Sequence, residues 1–169
     1  MATFDVLGPY ILPTRSGRAG GRQVAINDRD IREQFWDEVE CWDRPGCYVF
    51  AIRHGRGITP YYAGRTFGTF YGECFQPHKL LKYDRVLSNI RRGTPIMFFL
   101  PLTRTRGRMN ERAIGSLEDT LIKIGLERNA EMTNISGTHR YEVVVRGVWG
   151  TGRGRRAEPA RDFRKMMKL

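Results

Sequence analysis

Tyrosines in two strand-like runs are the residues of this chain whose type and spacing best suit chemistry. Tyr48 ends Gly46-Cys47-Tyr48 and lies in the apolar run Cys47-Tyr48-Val49-Phe50-Ala51-Ile52. Tyr62 closes Ile58-Thr59-Pro60-Tyr61-Tyr62 and opens Tyr62-Ala63-Gly64-Arg65-Thr66. Between them, His54-Gly55-Arg56-Gly57 reads as a tight turn. Two antiparallel strands joined this way bring both phenols onto one small sheet. A phenol has an unperturbed pKa of about 10, so it serves as a base only where positive charge stands close. Arg65 is the nearest such charge in sequence. Tyrosines paired on a strand also serve packing alone.

Charge places a polyanion beside these strings. The formal net charge is +11. Residues 1–44 hold 6 basic and 8 acidic side chains, a net of −2, whereas residues 45–169 hold 23 and 10, a net of +13. Arginine dominates the surplus, and its guanidinium fork suits phosphate. Nucleic acid is the commonest partner for such a surface. The three cysteines, Cys41, Cys47 and Cys74, are odd in number and lack CxxC spacing, so they read as small buried hydrophobes. No apolar run approaches a membrane span, and the N-terminus lacks the pattern of a signal peptide, so a cytoplasmic protein without a membrane partner is expected.

The elements that must carry the tyrosines follow from the pattern of apolar residues. Residues 2–13 read as extended and residues 14–23 as a flexible basic loop. Asp28 caps a helix through Val39, with Ile31, Phe35, Trp36 and Val39 at helical spacing. A helix is expected over 67–75 and a second over 78–92, the latter with Leu80, Leu81, Val86, Leu87 and Ile90 inward. Residues 96–102 read as a buried strand and 104–108 as a basic loop. Residues 110–124 form the best helix, stopped by Gly125. A last strand over 141–148 and a basic helix over 158–169 complete the chain. The tail from residue 150 carries Arg153, Arg155, Arg156 and four further cations against two acids, and Phe163, Met166 and Met167 give its helix an apolar stripe.

This arrangement resembles the GIY-YIG nuclease family over about residues 45–136. Gly46-Cys47-Tyr48 stands for the first signature and Tyr62-Ala63-Gly64 for the second, with Arg65-Thr66 as the basic-then-hydroxyl pair that often follows. Leu117-Glu118-Asp119-Thr120-Leu121-Ile122 looks like the helix bearing the family's metal-binding glutamate, and Asn134 like the asparagine beyond it. The resemblance implies a small central mixed or antiparallel sheet flanked by helices, and hydrolysis of phosphodiester bonds with one divalent cation. It implies that Tyr48 takes a proton from the attacking water, alone or through a neighbour. Tyr62 would orient that group or the scissile phosphate, and Glu118 would hold Mg2+ or Mn2+. Gly46 and Gly64 are motif positions, and Arg53, Asn134, Arg153, Arg155 and Arg156 would contact nucleic acid.

One departure bears on the chemistry. The family usually carries an arginine in the helix after the second signature, and here Glu73 stands there. A carboxylate cannot do an arginine's work at an anion. Lys79, Arg65 or Arg53 would have to supply that charge, with His78 as a proton donor to the leaving oxygen. Glu73 is then a second metal ligand or the ion-pair partner of Lys79.

The expected fold is therefore α/β, with an N-terminal extension over 1–44, a nuclease-like domain over 45–149 and a basic loop and helix over 150–169. The expected function is a metal-dependent endonuclease acting on DNA. The alternatives are a catalytically silent nucleic-acid-binding domain on the same scaffold, or a nuclease subunit targeted by a partner; a protein partner or homo-oligomer stays open.

Overall fold

A computed structural model describes residues 2–17, 21–90, 92–103, 109–134, 143–148 and 157–169. The chain is mixed α/β, with a central antiparallel sheet flanked by helices. Its strands are β1 (Ala2–Phe4), β2 (Leu7–Ile11), β3 (Thr14–Ser16), β4 (Arg22–Val24), β5 (Gly46–His54), β6 (Gly57–Thr66), β7 (Thr94–Pro101) and β8 (Val143–Val145). Its α-helices are α1 (Arg29–Asp37), α2 (Phe70–Glu73), α3 (Pro77–Asn89), α4 (Glu111–Arg128) and α5 (Glu158–Met167). The central sheet has the order β2-β7-β5-β6, while β1 pairs with β8 in parallel and β3 with β4 antiparallel.

Side-chain alternation divides the sheet into two faces, each under its own core. Tyr48, Phe50, Ile52, Tyr62, Met97 and Phe99 pack with residues of α1, α2 and α3. Cys47, Val49, Ala51, Ala63, Phe98 and Leu100 pack with residues of α4 and α5. The inner strand β7 is covered on both faces, which is why it reads as an unbroken apolar run. Strands β5 and β6 form the expected hairpin, His54 pairing with Gly57 across a turn in which Gly55 has φ +54°. That left-handed value suits glycine. The pairing slips by one residue between Phe50 and Ala51, which oppose Tyr62 and Pro60, so Tyr61 is a bulge.

Several expectations need correction. The stretch 14–24, read as a loop through residue 23, contains the β3–β4 ribbon, with Arg22 donating to the Gly93 carbonyl and Val24 N–H to Asp84. The helix expected over 67–75 shrinks to the single turn α2. Thr66 Oγ1 accepts from Gly68 N–H and Thr69 Oγ1 from Gly72 N–H, so local hydroxyls take the first amides and delay the start. Leu81, placed inward by spacing, is exposed, and Tyr83 fills the buried face of α3 instead. Gly125 does not stop α4, which runs on to Arg128. A side chain at Gly125 would overlap Met132, so this glycine serves close packing. The Asp28 cap is as expected, its carboxylate accepting from Asp30 and Ile31 N–H.

The N-terminal segment supplies the outer strand β2 and the partner of β8. The C-terminal α5 docks through Ala160, Phe163, Met166 and Met167, all buried, while Arg161, Lys165 and Lys168 stay exposed. Among the described residues, no helix is long and apolar enough to cross a membrane.

All three cysteines are free and buried. Burial pushes the Cys41 thiol up to about 12, and the Cys47 and Cys74 thiols well above their usual value. The thiolate is the reactive form. The folded protein is therefore expected to resist a thiol reagent at mildly alkaline pH and to react at all three cysteines once unfolded in urea. Rapid labelling of the folded protein would show that these cores open without global unfolding.

Candidate functional site

Strand β6 lies at the edge of the sheet, so its two faces meet solvent along one border. Tyr62 shares one core with Tyr48, and Gly64 lies against the Tyr48 ring; Ala63 belongs to the opposite core, and Arg65 reaches α4. The signature residues therefore wrap the edge of β6 rather than line one face.

Tyr48 stands directly across from Gly64 in the β5–β6 ladder, and its ring lies over the glycine backbone. A Cβ at Gly64 would come within 2.5 Å of Tyr48 Cζ and 2.6 Å of its hydroxyl oxygen. Gly64 is thus required by this ring, and Gly46 by the chain, because Gly46 has φ +155° and a Cβ there would overlap the Leu100 carbonyl. The Tyr48 ring centroid is 6.0 Å from that of Tyr62. Tyr48 is wholly buried, and its hydroxyl has no hydrogen-bond partner of normal geometry among the described residues. Tyr83 lies close by but donates its own proton to the Cys74 carbonyl at 3.1 Å. Burial first, and then the neighbouring Tyr83, push the Tyr48 phenol well above its usual value.

Tyr62 is better served. Lys79 Nζ donates to its hydroxyl oxygen at 2.7 Å and pairs with Glu73 Oε1 at 3.1 Å. Burial works to lower the Lys79 ammonium, but the contacts to Tyr62 and Glu73 outweigh it and hold the group above its usual value. Glu73 thus pairs with Lys79, one of the two roles expected of it, and also accepts from Gln76 Nε2 at 3.2 Å. Across the strand edge, Arg65 Nη1 pairs with Glu118 Oε2 at 3.0 Å. Gly115, one turn before Glu118, leaves the room that Arg65 occupies, since a Cβ there would lie 3.1 Å from Arg65 Nη1. Burial raises the Glu118 carboxyl above the usual range, while Arg65 and Lys79 pull it back down.

The remaining expected residues lie elsewhere. Arg53 is five positions along β5 from Tyr48, about 17 Å at strand rise, and is not part of the cluster. His78 is exposed on the first turn of α3, with no hydrogen bond or ion pair among the described residues. Asn134 spends both ends of its amide on the backbone of Ala63, accepting from N–H at 2.9 Å and donating to C=O at 2.6 Å. It closes part of the strand edge, with one lone pair and one N–H of the amide used in doing so. Arg153, Arg155 and Arg156 lie outside the described residues. Sequence reasoning missed Lys82 and Tyr83, which follow Lys79 by three and four positions and so share its face of α3.

Two clefts flank the pair Arg65 and Phe67. One, of about 600 Å³, is bounded also by Gly115, Ser116 and Asp119; the other, of about 460 Å³, by Thr66, Thr69 and Glu73. One carboxylate completed by waters and phosphate oxygens is a usual magnesium arrangement. Glu118 is a hard oxygen donor of that kind; its side chain is 16% exposed and pairs with Arg65, which lines both clefts.

Replacing Gly64 by alanine is expected to destabilise the fold by about 1 to 3 kcal/mol, because a wholly buried ring has nowhere to retreat. Urea unfolding of the variant measures this, and an unchanged midpoint would show that Tyr48 is not held against Gly64. No protein-family model matches this chain, and neither does any curated protein or solved structure.

Proposed function

We propose that this chain is a divalent-metal-dependent endonuclease that hydrolyses phosphodiester bonds in DNA, as its resemblance to GIY-YIG nucleases implies. One observation carries the reading. Tyr62, Arg65, Lys79 and Glu118 come from β6, α3 and α4, and they gather at one border of the sheet, with Tyr48 packed behind them. The net charge of +11 supports a polyanionic substrate.

Glu118 would hold Mg2+ or Mn2+, whose charge would offset that of the non-bridging phosphate oxygens. The chain's own groups do the rest. Tyr62, anchored by Lys79, orients a water or the phosphate through its hydroxyl. Tyr48 is too deeply buried to meet water itself, so it acts through Tyr62, by fixing the ring beside it. Lys79 stands six positions beyond Glu73 and brings a cation to Tyr62. Arg65 brings another to the same border.

A second reading, a silent nucleic-acid-binding domain, has an observation in its favour. Both of these cations are already neutralised by carboxylates, Lys79 by Glu73 and Arg65 by Glu118. The two readings part on a plasmid-cleavage assay with magnesium or manganese beside a chelator control. The nuclease reading expects metal-dependent cutting that Glu118→Gln abolishes, with DNA affinity retained because phosphate binding rests mainly on Lys and Arg. Binding without cutting in any metal selects the silent scaffold.

Tyr48→Phe separates packing from proton transfer. Removing a buried hydroxyl that lacks a hydrogen bond is expected to leave stability unchanged or raise it by about 1 kcal/mol. Cleavage should fall only slightly if the ring acts by fixing Tyr62. A loss of 10²-fold or more, the scale of direct general acid–base participation, would return the proton-transfer role to Tyr48.

A further inference from the structure

Three cations converge on Tyr62 and Glu118, and one of them has no ion pair among the described residues. Arg65 is matched by Glu118 and Lys79 by Glu73. Lys82, one turn beyond Lys79 on the same face of α3, makes no ion pair among the described residues. Its ammonium lies 4.8 Å from the centre of the Tyr62 ring, and that of Lys79 lies 5.2 Å from it. Both lysines thus converge on one phenol, and Lys82 also lies within electrostatic range of Glu118 from the far side of the strand edge. Lys82 is half-buried, so part of its hydration is lost, and Lys79 repels it. The ring face returns some of this through cation–π attraction. An ammonium held among a like charge, an aromatic face and a carboxylate already paired elsewhere lacks a counter-anion of its own.

We propose that Lys82 is the cation that receives a phosphodiester phosphate of the substrate at Tyr62, in place of Arg65 or Lys79. This rests on the endonuclease reading for its substrate class. The phosphate sits between the Lys82 ammonium and the Tyr62 hydroxyl, on the α3 face of β6, at the border that Glu118 reaches from the opposite face. Lys79 is then a positioning residue. It holds Tyr62 by its hydroxyl and is itself held by Glu73, so Glu73 supports the site instead of opposing it. The carboxylate at the position where the family carries arginine fixes one lysine and leaves the next one for the anion. A phosphate monoanion needs one free positive charge more than it needs two quenched ones.

The test uses the full chain and a DNA duplex, with Lys82→Ala, Lys82→Arg and, as a charge-matched control, Lys123→Ala at an exposed position of α4. Thermal melts establish that each variant is folded. The first readout is binding in chelator across a range of salt. Loss of one phosphate contact lowers the slope of log affinity against log salt by about 0.9. Lys82→Ala should show that drop, while Lys82→Arg and Lys123→Ala keep the wild-type slope. The second readout is single-turnover cleavage with magnesium, in which Lys82→Ala should lose on the order of 10²-fold, the scale of removing one preorganised donor. An unchanged slope in Lys82→Ala overturns the proposal, whatever the cleavage rate. A lowered slope with no cutting by any form keeps Lys82 as a phosphate contact and rejects the endonuclease. A protein that binds no DNA rejects both.

Discussion

Everything at the border of β6 depends on one steric fact, the contact of the Tyr48 ring with the bare backbone of Gly64. A side chain at Gly64 would occupy the space of that ring, so the ring and the glycine specify each other across the ladder. With Tyr48 seated, Tyr62 lies diagonally beside it at 6.0 Å, and the next residue after the glycine, Arg65, is thrown to the opposite face toward α4. Strand alternation then does the rest. The site is a consequence of packing before it is a consequence of chemistry.

The electrostatics follow the same economy of position. Around the strand edge, Glu118 pairs with Arg65 and Glu73 with Lys79, while Lys82 lies over the Tyr62 ring. These pairs are largely shielded from solvent, so the cost of desolvating the charges offsets much of their attraction. Their effect is on geometry. Glu73 holds Lys79 while Lys79 holds Tyr62, so the orientation of the phenol is set by a chain of three side chains. On the other face, Glu118 holds Arg65 in the space that Gly115 leaves open.

The sheet was legible in the sequence because its signals are local. A two-residue turn between apolar runs gives the hairpin, and an apolar run buried on both faces gives β7. The helices were legible in kind and less so in extent. Gly125 looks like a stop because glycine usually ends helices, but here it admits Met132. Leu81 looks inward because leucine usually is, yet the phase of α3 is set by Tyr83 and Leu80. The β3–β4 ribbon has no apolar pattern to announce it, since its anchors at Gly93 and Asp84 lie some 60 to 70 residues away. At the site, motif order identified Tyr48, Tyr62 and Glu118 as candidates. Lys82 was hidden because what sets it apart, an ammonium over the Tyr62 ring without an ion pair among the described residues, depends on which neighbouring charges are already paired. Motif order singles out Asn134 as well, but not the place its amide takes along the Ala63 backbone, 71 residues away in sequence.

That last arrangement has a counterpart at the opposite edge of the sheet. On β6, the Tyr61 bulge breaks the ladder, and Asn129, Thr133 and Asn134 occupy the backbone groups of Pro60, Tyr61 and Ala63. On β2, pairing with β7 slips between Leu7 and Tyr10, and Pro9 has no N–H to offer. Both borders of the four-stranded sheet therefore lack the regular row of free amides and carbonyls on which another strand can grow. The sheet ends where the chain ends it. A second polypeptide therefore finds no even backbone row at either border on which to add a strand.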